Sequence, residues 1–413
     1  MTKENLIKKF EFENLLIYSF ALFPLAFLIG NLFINFFLLL FSIIFVSGLF
    51  LKKFKFQNQN KFSLYLLLFF FFSLIINLIF SNNFYLTLPR VLKFILIIGS
   101  ILCFSHTIIN YRKKIFIKIY KFWSILFGIV LFDIIFELIF KFNIFGFSSI
   151  IPGRVVSFSN DEMNIGHFFL AFCLIFINFV HTNFKNIYLT SLLSIFFILI
   201  SFLIGERSNF IKTFIIIVFF SFFAYEIKLK YKFLIIVIIT AIVSLTLSLN
   251  ENYKERYYNQ FTGMLFNNGL NHYINYSLYG AHYKVAYEIF KDNPYFGVGI
   301  KNFRVESFSE KYDNLNHSYP ERRGNTHPHQ IHLEFLSETG LIGYACFMIF
   351  ILVSIIFSLK NYIKNKNLFQ LSSILYILVN LLPLIPSGSF FTTYSAGLFW
   401  LHYAIMIGYI RKT

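Results

Sequence analysis

Apolar runs of about 20 residues recur along almost the whole of this chain, and they leave few folds open. A run of that length crosses the hydrocarbon layer of a bilayer as an α-helix, which satisfies its backbone hydrogen bonds internally. Hydrophobic residues make up 57% of the sequence, charged residues 13%, and the mean hydropathy is +0.68. A soluble domain cannot hide that much apolar surface. A membrane β-barrel would show short segments of alternating polarity, which are absent from the sequence. The fold class expected is all-α, a polytopic integral membrane protein.

About twelve runs predict spans, at 15–30, 32–51, 62–80, 91–109, 122–140, 165–181, 187–204, 209–225, 233–249, 331–358, 368–385 and 390–410. This predicts a single membrane domain: about nine transmembrane helices in 1–249, a large loop with short amphipathic helices in 250–330, and three helices in 331–413. An even count puts both termini on one side. The clusters Lys52-Lys53-Phe54-Lys55, Arg112-Lys113-Lys114, Lys228 to Lys232 and Lys360 to Lys366 fall on that side, with Lys8, Lys9, Arg411 and Lys412. Positive charge in short loops marks it as cytoplasmic. Much of the +17 formal charge is then an orientation signal toward membrane lipid, and nucleic acid is excluded as a partner. The first apolar run passes almost directly into the second, so it reads as an anchor, not a cleaved signal peptide. Cys103, Cys173 and Cys346 lie in apolar runs without CxxC spacing and read as core filler.

The arginines break the positive-inside trend. Arg90, Arg154, Arg207, Arg256, Arg304, Arg322 and Arg323 fall on the outer face, while Lys dominates the inner one. A guanidinium grips phosphate oxygens through two parallel bonds, so a phosphate-bearing ligand outside would explain the asymmetry. Pairing with nearby Asp and Glu would explain it equally. The connection Gly205-Glu206-Arg207-Ser208-Asn209 holds Arg207 at the membrane boundary, either paired with Glu206 or as a phosphate clamp. In Gly153 to Gly166, Arg154 could join the clamp, and Asp161 or Glu162 could orient it or bind sugar hydroxyls.

Histidine supplies the proton chemistry that the apolar runs lack. His327, His329 and His332 crowd six residues where the outer loop meets a span. Pro328 predicts a helix start that places His329 in its first turn, where the dipole keeps imidazole neutral and able to accept a proton. Interfacial anchoring is the simpler alternative. HxHxxH also suggests a metal, but no further ligand cluster accompanies it. No P-loop, GxSxG or HExxH is present. Ala281 to Lys291 carries apolar residues at helical spacing and predicts an amphipathic helix lying on the membrane surface.

Taken in order, these segments resemble the O-antigen ligase/O-antigen polymerase superfamily of bacterial envelope glycosyltransferases. Asp292-Asn-Pro-Tyr-Phe-Gly-Val-Gly-Ile-Lys-Asn-Phe-Arg304 resembles its NPxxGxGxxNF segment. His327-Pro-His-Gln-Ile-His-Leu-Glu-Phe-Leu-Ser-Glu-Thr-Gly-Leu-Ile-Gly343 resembles its HxHNxxLxxLxExG segment, with Gln330 where the family usually has Asn. The resemblance implies a metal-independent, GT-C-like glycosyltransferase without cofactors in the bacterial inner membrane, its active site periplasmic. The donor would be an undecaprenyl-pyrophosphate-linked glycan, the acceptor lipid A-core or another lipid-linked glycan. It implies His329 as the base and Arg207 with Arg154 as the pyrophosphate clamp. Glu162, Arg304, Arg322, Arg323, His327 and Gln330 complete the expected glycan and pyrophosphate contacts. A transporter or flippase of lipid-linked oligosaccharide is the alternative; Lys93, Asp133 and Glu137 are its candidate intramembrane charges.

Overall fold

The computed structural model describes residues 3–54, 58–162, 164–224, 229–266 and 268–410. Lys55, Lys228, Arg411 and Lys412 lie outside the described residues, as do the side chains of Lys8, Lys9, Asp161, Lys230 and Lys232. Every element among the described residues is helical. Seven helical stretches among the described residues are long and apolar enough to cross a membrane: Phe12–Ile29, Asn31–Phe50, Lys61–Ile79, Phe84–Phe140, Ile165–Phe184, Arg207–Ala224 and Ile331–Asn365. One apolar core, dense in Phe, runs between these helices.

All twelve expected runs are largely helical, with boundaries that differ in informative ways. The expected break between 109 and 122 is absent. Instead the helix Phe84–Lys114 bends at Tyr111 and continues through a π-helical stretch, Ile115–Tyr120, into Lys121–Phe140. That stretch has no Gly or Pro to stop it, and it buries Ile115, Ile119 and Tyr120 while Lys118 stays half-buried. Three other helices are shorter than a full span. Ile187–Leu203 starts at an Asn186 cap and stops at the Gly205 turn. Leu368–Asn380 gives way to an irregular strap over 381–392, before the helix Thr393–Gly408. Pro383 and Pro386 account for the strap, since each removes a donor and pushes its predecessor out of helical geometry. The helices that fall short do so where loops build the cavity described below.

The segment 250–330 is organised around the expected amphipathic helix, which runs Leu278–Asp292. It packs against Ile331–Asn365, so protein covers its apolar face where membrane surface was expected. Val285, Ala286 and Ile289 join Val298, Phe303, Tyr312 and Leu315 in a second small core. The glycine turn docks beneath it. The helix Ile331–Asn365 is broken at Gly340 (φ 64°), where a Cβ would lie 2.4 Å from the Tyr295 carbonyl group. Val298 and Gly299 donate backbone N–H bonds of 3.0 and 2.8 Å to Ser337 and Glu338, and Leu341 donates one of 2.8 Å to Pro294. The turn thus accepts and supplies the backbone groups that the break leaves open.

Candidate functional site

A cavity of about 450 Å³ is lined by Arg154, Glu162, Glu206, Arg207, Arg256, His327 and His329, with Tyr273, Tyr279, Ser387 and Gly388 among the other walls. Two loops build its arginine wall. Val155 donates its N–H to Ile204 at 3.0 Å, and a Cβ at Gly205 (φ 79°) would sit 1.9 Å from the Gly153 oxygen. Only glycine lets the two backbones meet this closely. Glu206, buried, pairs with Arg154 at 3.3 Å and accepts the Gly166 N–H at 3.0 Å. It does not pair with Arg207, the partner the sequence offered. Arg207 donates to the carbonyls of Arg256 and Gln260 at 3.1 and 3.2 Å, and no carboxylate among the described residues lies within ion-pairing distance of it. Arg256 returns two bonds, 3.2 and 2.8 Å, to the Gly205 carbonyl.

Asp133 and Glu137, the candidate intramembrane acids, hold the loop that carries Arg154. Glu137 accepts the backbone N–H groups of Val156 and Ser157, at 3.0 and 2.6 Å. Asp133 accepts the Ile144 N–H at 2.8 Å and the Ser157 hydroxyl at 2.5 Å. Lys93 donates to the Thr393 hydroxyl at 2.6 Å. All three charges are tied into the protein's own hydrogen bonds.

The opposite wall is histidine. The helix starts at Ile331 with Gln330 as its cap, the Gln330 side-chain oxygen accepting Leu333 N–H at 2.8 Å. His329 therefore precedes the helix, where a first-turn position was expected, and adopts a left-handed φ of 56°. Its ring lies 4.0 Å from that of His327 and 5.3 Å from those of His282 and Tyr279, centroid to centroid. Asn325 places its amide nitrogen 3.3 Å from Nε2 of both His282 and His329, while its oxygen accepts the Thr326 N–H at 2.6 Å. That orientation makes both Nε2 atoms acceptors and assigns the ring protons to Nδ1. Burial lowers the His329 pKa to about 4, so the ring is neutral at physiological pH. Burial lowers His282 and His327 as well, with neighbouring His329 adding to each. His327 Nε2 is buried without a hydrogen-bond partner. Among the described residues no three His, Cys, Asp or Glu side chains are arranged to hold a metal ion.

Of the residues singled out in the sequence, Arg154, Glu162, Arg207, His327 and His329 share this cavity, while Gln330, Arg304, Arg322 and Arg323 do not line it. Gln330 caps a helix. Arg323 pairs with Asp313 and donates to Ser309 and Pro320, closing its own loop. Arg322 is exposed, stacked 4.8 Å above the Tyr319 ring. His332 is structural, bonded to the Leu381 carbonyl at 2.8 Å and Tyr344 at 3.0 Å. Residues given no role from the sequence also stand in or against the cavity: Arg256, Tyr273, Tyr279 and Ser387 line it, and His282 stacks behind His329. Arg256 was legible as an outer-face arginine, whereas the histidine in the amphipathic helix and the strap carried no motif.

With this geometry in view, comparison with known families is informative. Residues 189–348 match the sequence model of a family described as O-antigen ligase. That stretch is similar to the O-antigen ligase/polymerase superfamily. The matched stretch contains Arg207, Arg256 and the histidine cluster, while Arg154 and Glu162 precede it. No curated protein matches the chain. The match supports an O-antigen ligase-like function in envelope polysaccharide biosynthesis, with lipid-linked glycan and acceptor substrates in general.

Proposed function

We propose that the chain transfers a glycan from undecaprenyl pyrophosphate to an acceptor hydroxyl at the periplasmic face of the bacterial inner membrane. The acceptor would be lipid A-core, as in a ligase, or another lipid-linked repeat unit, as in a polymerase. The observation that carries this reading is the cavity's division of labour. Arg154, Arg207 and Arg256 line one wall against a single buried carboxylate, and neutral His329 lines another. An anion with several phosphate oxygens matches the surplus of guanidinium donors.

In the reaction, the acceptor oxygen attacks the anomeric carbon as its proton passes to His329 Nε2. The bond from that carbon to the phosphate oxygen breaks, and the pyrophosphate leaves with the electron pair. Arg207 and Arg256, with Arg154 beside them, stabilise the charge that develops there. His329 is a weak base in its buried setting; a bound polyanion raises its proton affinity as transfer begins. The anomeric bond is already activated, so the proposal calls for neither metal nor cofactor and fits a GT-C-like enzyme. Both termini would be cytoplasmic.

The test is complementation by Arg207→Ala, with membrane insertion followed by immunoblot and surface polysaccharide by gel. Loss of polymerised or attached glycan, with donor accumulating on the outer leaflet, supports transfer. Wild-type glycan removes Arg207 from the mechanism, and accumulation on the inner leaflet points to a flippase instead.

A further inference from the structure

A second cluster of buried charge lies behind the strap. Lys301, Glu334 and Ser389 are each about fully buried, at 2%, 1% and 1% exposure. Lys301 Nζ donates to Ser389 Oγ at 2.5 Å, and that hydroxyl donates in turn to Glu334 Oε1. The other Glu334 oxygen accepts the Phe390 N–H at 2.8 Å. These contacts continue a seam along the strap. Leu381 is bonded by His332, and Ser387 donates its N–H to the His329 carbonyl at 2.8 Å. Residues 381–390 are therefore fastened to residues 329–334 at three successive points.

The seam bears on the cavity because His329 is held in a left-handed conformation that an ordinary L-residue keeps only when its surroundings over-determine it. The Ser387 bond is one such constraint, and Ser387 is fixed in turn by the anchoring of Ser389 and Phe390. We infer that Lys301, Ser389 and Glu334 are positioning residues: they lock the strap against the histidine segment and so hold the His329 ring in the cavity. A buried ion pair bridged by a hydroxyl suits this task, since its geometry is specific even where its net contribution to stability is small. The inference rests on the transfer reaction proposed above.

The experiment measures release of polyprenyl pyrophosphate from a synthetic polyprenyl-pyrophosphate glycan, by the full-length chain in native membranes that supply the acceptor. Ser389→Ala deletes the bridging hydroxyl and little else. It is expected to lower release at saturating donor by roughly tenfold or more, with half-saturation within about twofold of wild type. Glu334→Gln, which still accepts the Phe390 N–H, is expected to retain more activity than Glu334→Leu. Wild-type release by Ser389→Ala overturns the inference, as does a parallel loss of turnover and donor affinity, the mark of general unfolding. Arg207→Ala in the same assay separates the two claims. If it is inactive while Ser389→Ala is not, only the positioning role fails; if Arg207→Ala releases at the wild-type rate, the transfer reading itself fails.

Discussion

Two clusters of charge meet the same strap, and they differ in how the charge is balanced. Behind it, Lys301 faces Glu334 through one hydroxyl, and the remaining glutamate oxygen takes a backbone N–H. In front of it, three guanidiniums share a cavity in which the one buried carboxylate pairs with Arg154, and Arg207 turns to backbone carbonyls. In the first cluster Lys301, Ser389 and Glu334 answer one another within the protein. The second sets three half-buried guanidiniums against one buried carboxylate, where charge without a counter-charge is costly. Completeness marks a structural device, and a surplus marks a place for something else to bind.

That contrast is broken most severely at the histidine wall. His329→Ala is expected to lower transfer by about 10²–10⁴, the usual range for a positioned acid–base group, with donor binding retained. The pH profile sharpens the assignment. With the free-enzyme pKa depressed to about 4, the acid limb of kcat/KM should fall near that value, because the protonated ring below it has no lone pair to offer. The kcat limb should lie at higher pH, since bound pyrophosphate favours the imidazolium. Coincident limbs near pH 6.5 would place the base elsewhere.

Next comes Arg256→Ala, with an expected loss of about 10²–10³ in transfer. Arg256 also braces the Gly205 carbonyl, so Arg256→Lys separates the roles: charge remains, but the fork that makes two bonds is lost. Full activity in Arg256→Lys would show that charge alone suffices and that the paired loops tolerate a looser wall.

The sequence made legible what depends on composition and on local motif. Apolar runs marked every long helix, because length and hydropathy alone decide whether a segment can span. Gly205 and Gly340 stood in motifs whose physical reason appears only in the fold: each lies where another backbone approaches too closely for a Cβ. Less was legible wherever function depends on a remote partner. Asp133 and Glu137 read as intramembrane charge, and nothing local indicated that they grip backbone at 144 and 156–157. The strap was read as span ends around a short turn, since Leu381, Leu382, Leu384 and Ile385 are as apolar as any helix and only its two prolines argued otherwise. His329 was expected inside the helix on the strength of Pro328, but the Gln330 side chain caps one residue further on, and that shift frees the ring for the cavity.

A smaller effect tests the support of the arginine wall. Glu137→Leu leaves the N–H groups of Val156 and Ser157 without their acceptor and loosens the loop that carries Arg154. Transfer should fall by roughly 10-fold to 10²-fold, the penalty of an ångström-scale misplacement, and Glu137→Gln should recover part of it. Proton-coupled transport through Glu137 would predict the opposite, with Gln as damaging as Leu because neither ionises. Comparing the two variants thus also tests the transporter reading.

The smallest effect is expected at Arg322, one of the arginines the sequence reading placed on the outer face, which the cavity leaves out. Its side chain is 57% exposed, its nearest carboxylate is the adjacent Glu321 at 3.9 Å, and it stacks on Tyr319. Solvent screens a charge so placed, and a surface pair of this kind contributes about 0–1 kcal/mol. Arg322→Ala should therefore change transfer by less than about twofold, whereas Arg323→Ala, which removes the tie from Asp313 to the 309–323 loop, should show more through loosened structure. The measurement is the release assay run with short and long glycan donors. If Arg322→Ala impairs only the long donor, the glycan extends beyond the cavity across the outer loop, and surplus charge no longer suffices to mark the binding surface. Equal loss with both donors would mean that the pyrophosphate itself reaches Arg322, and the contrast between the complete cluster and the unanswered one would have been drawn around the wrong arginines.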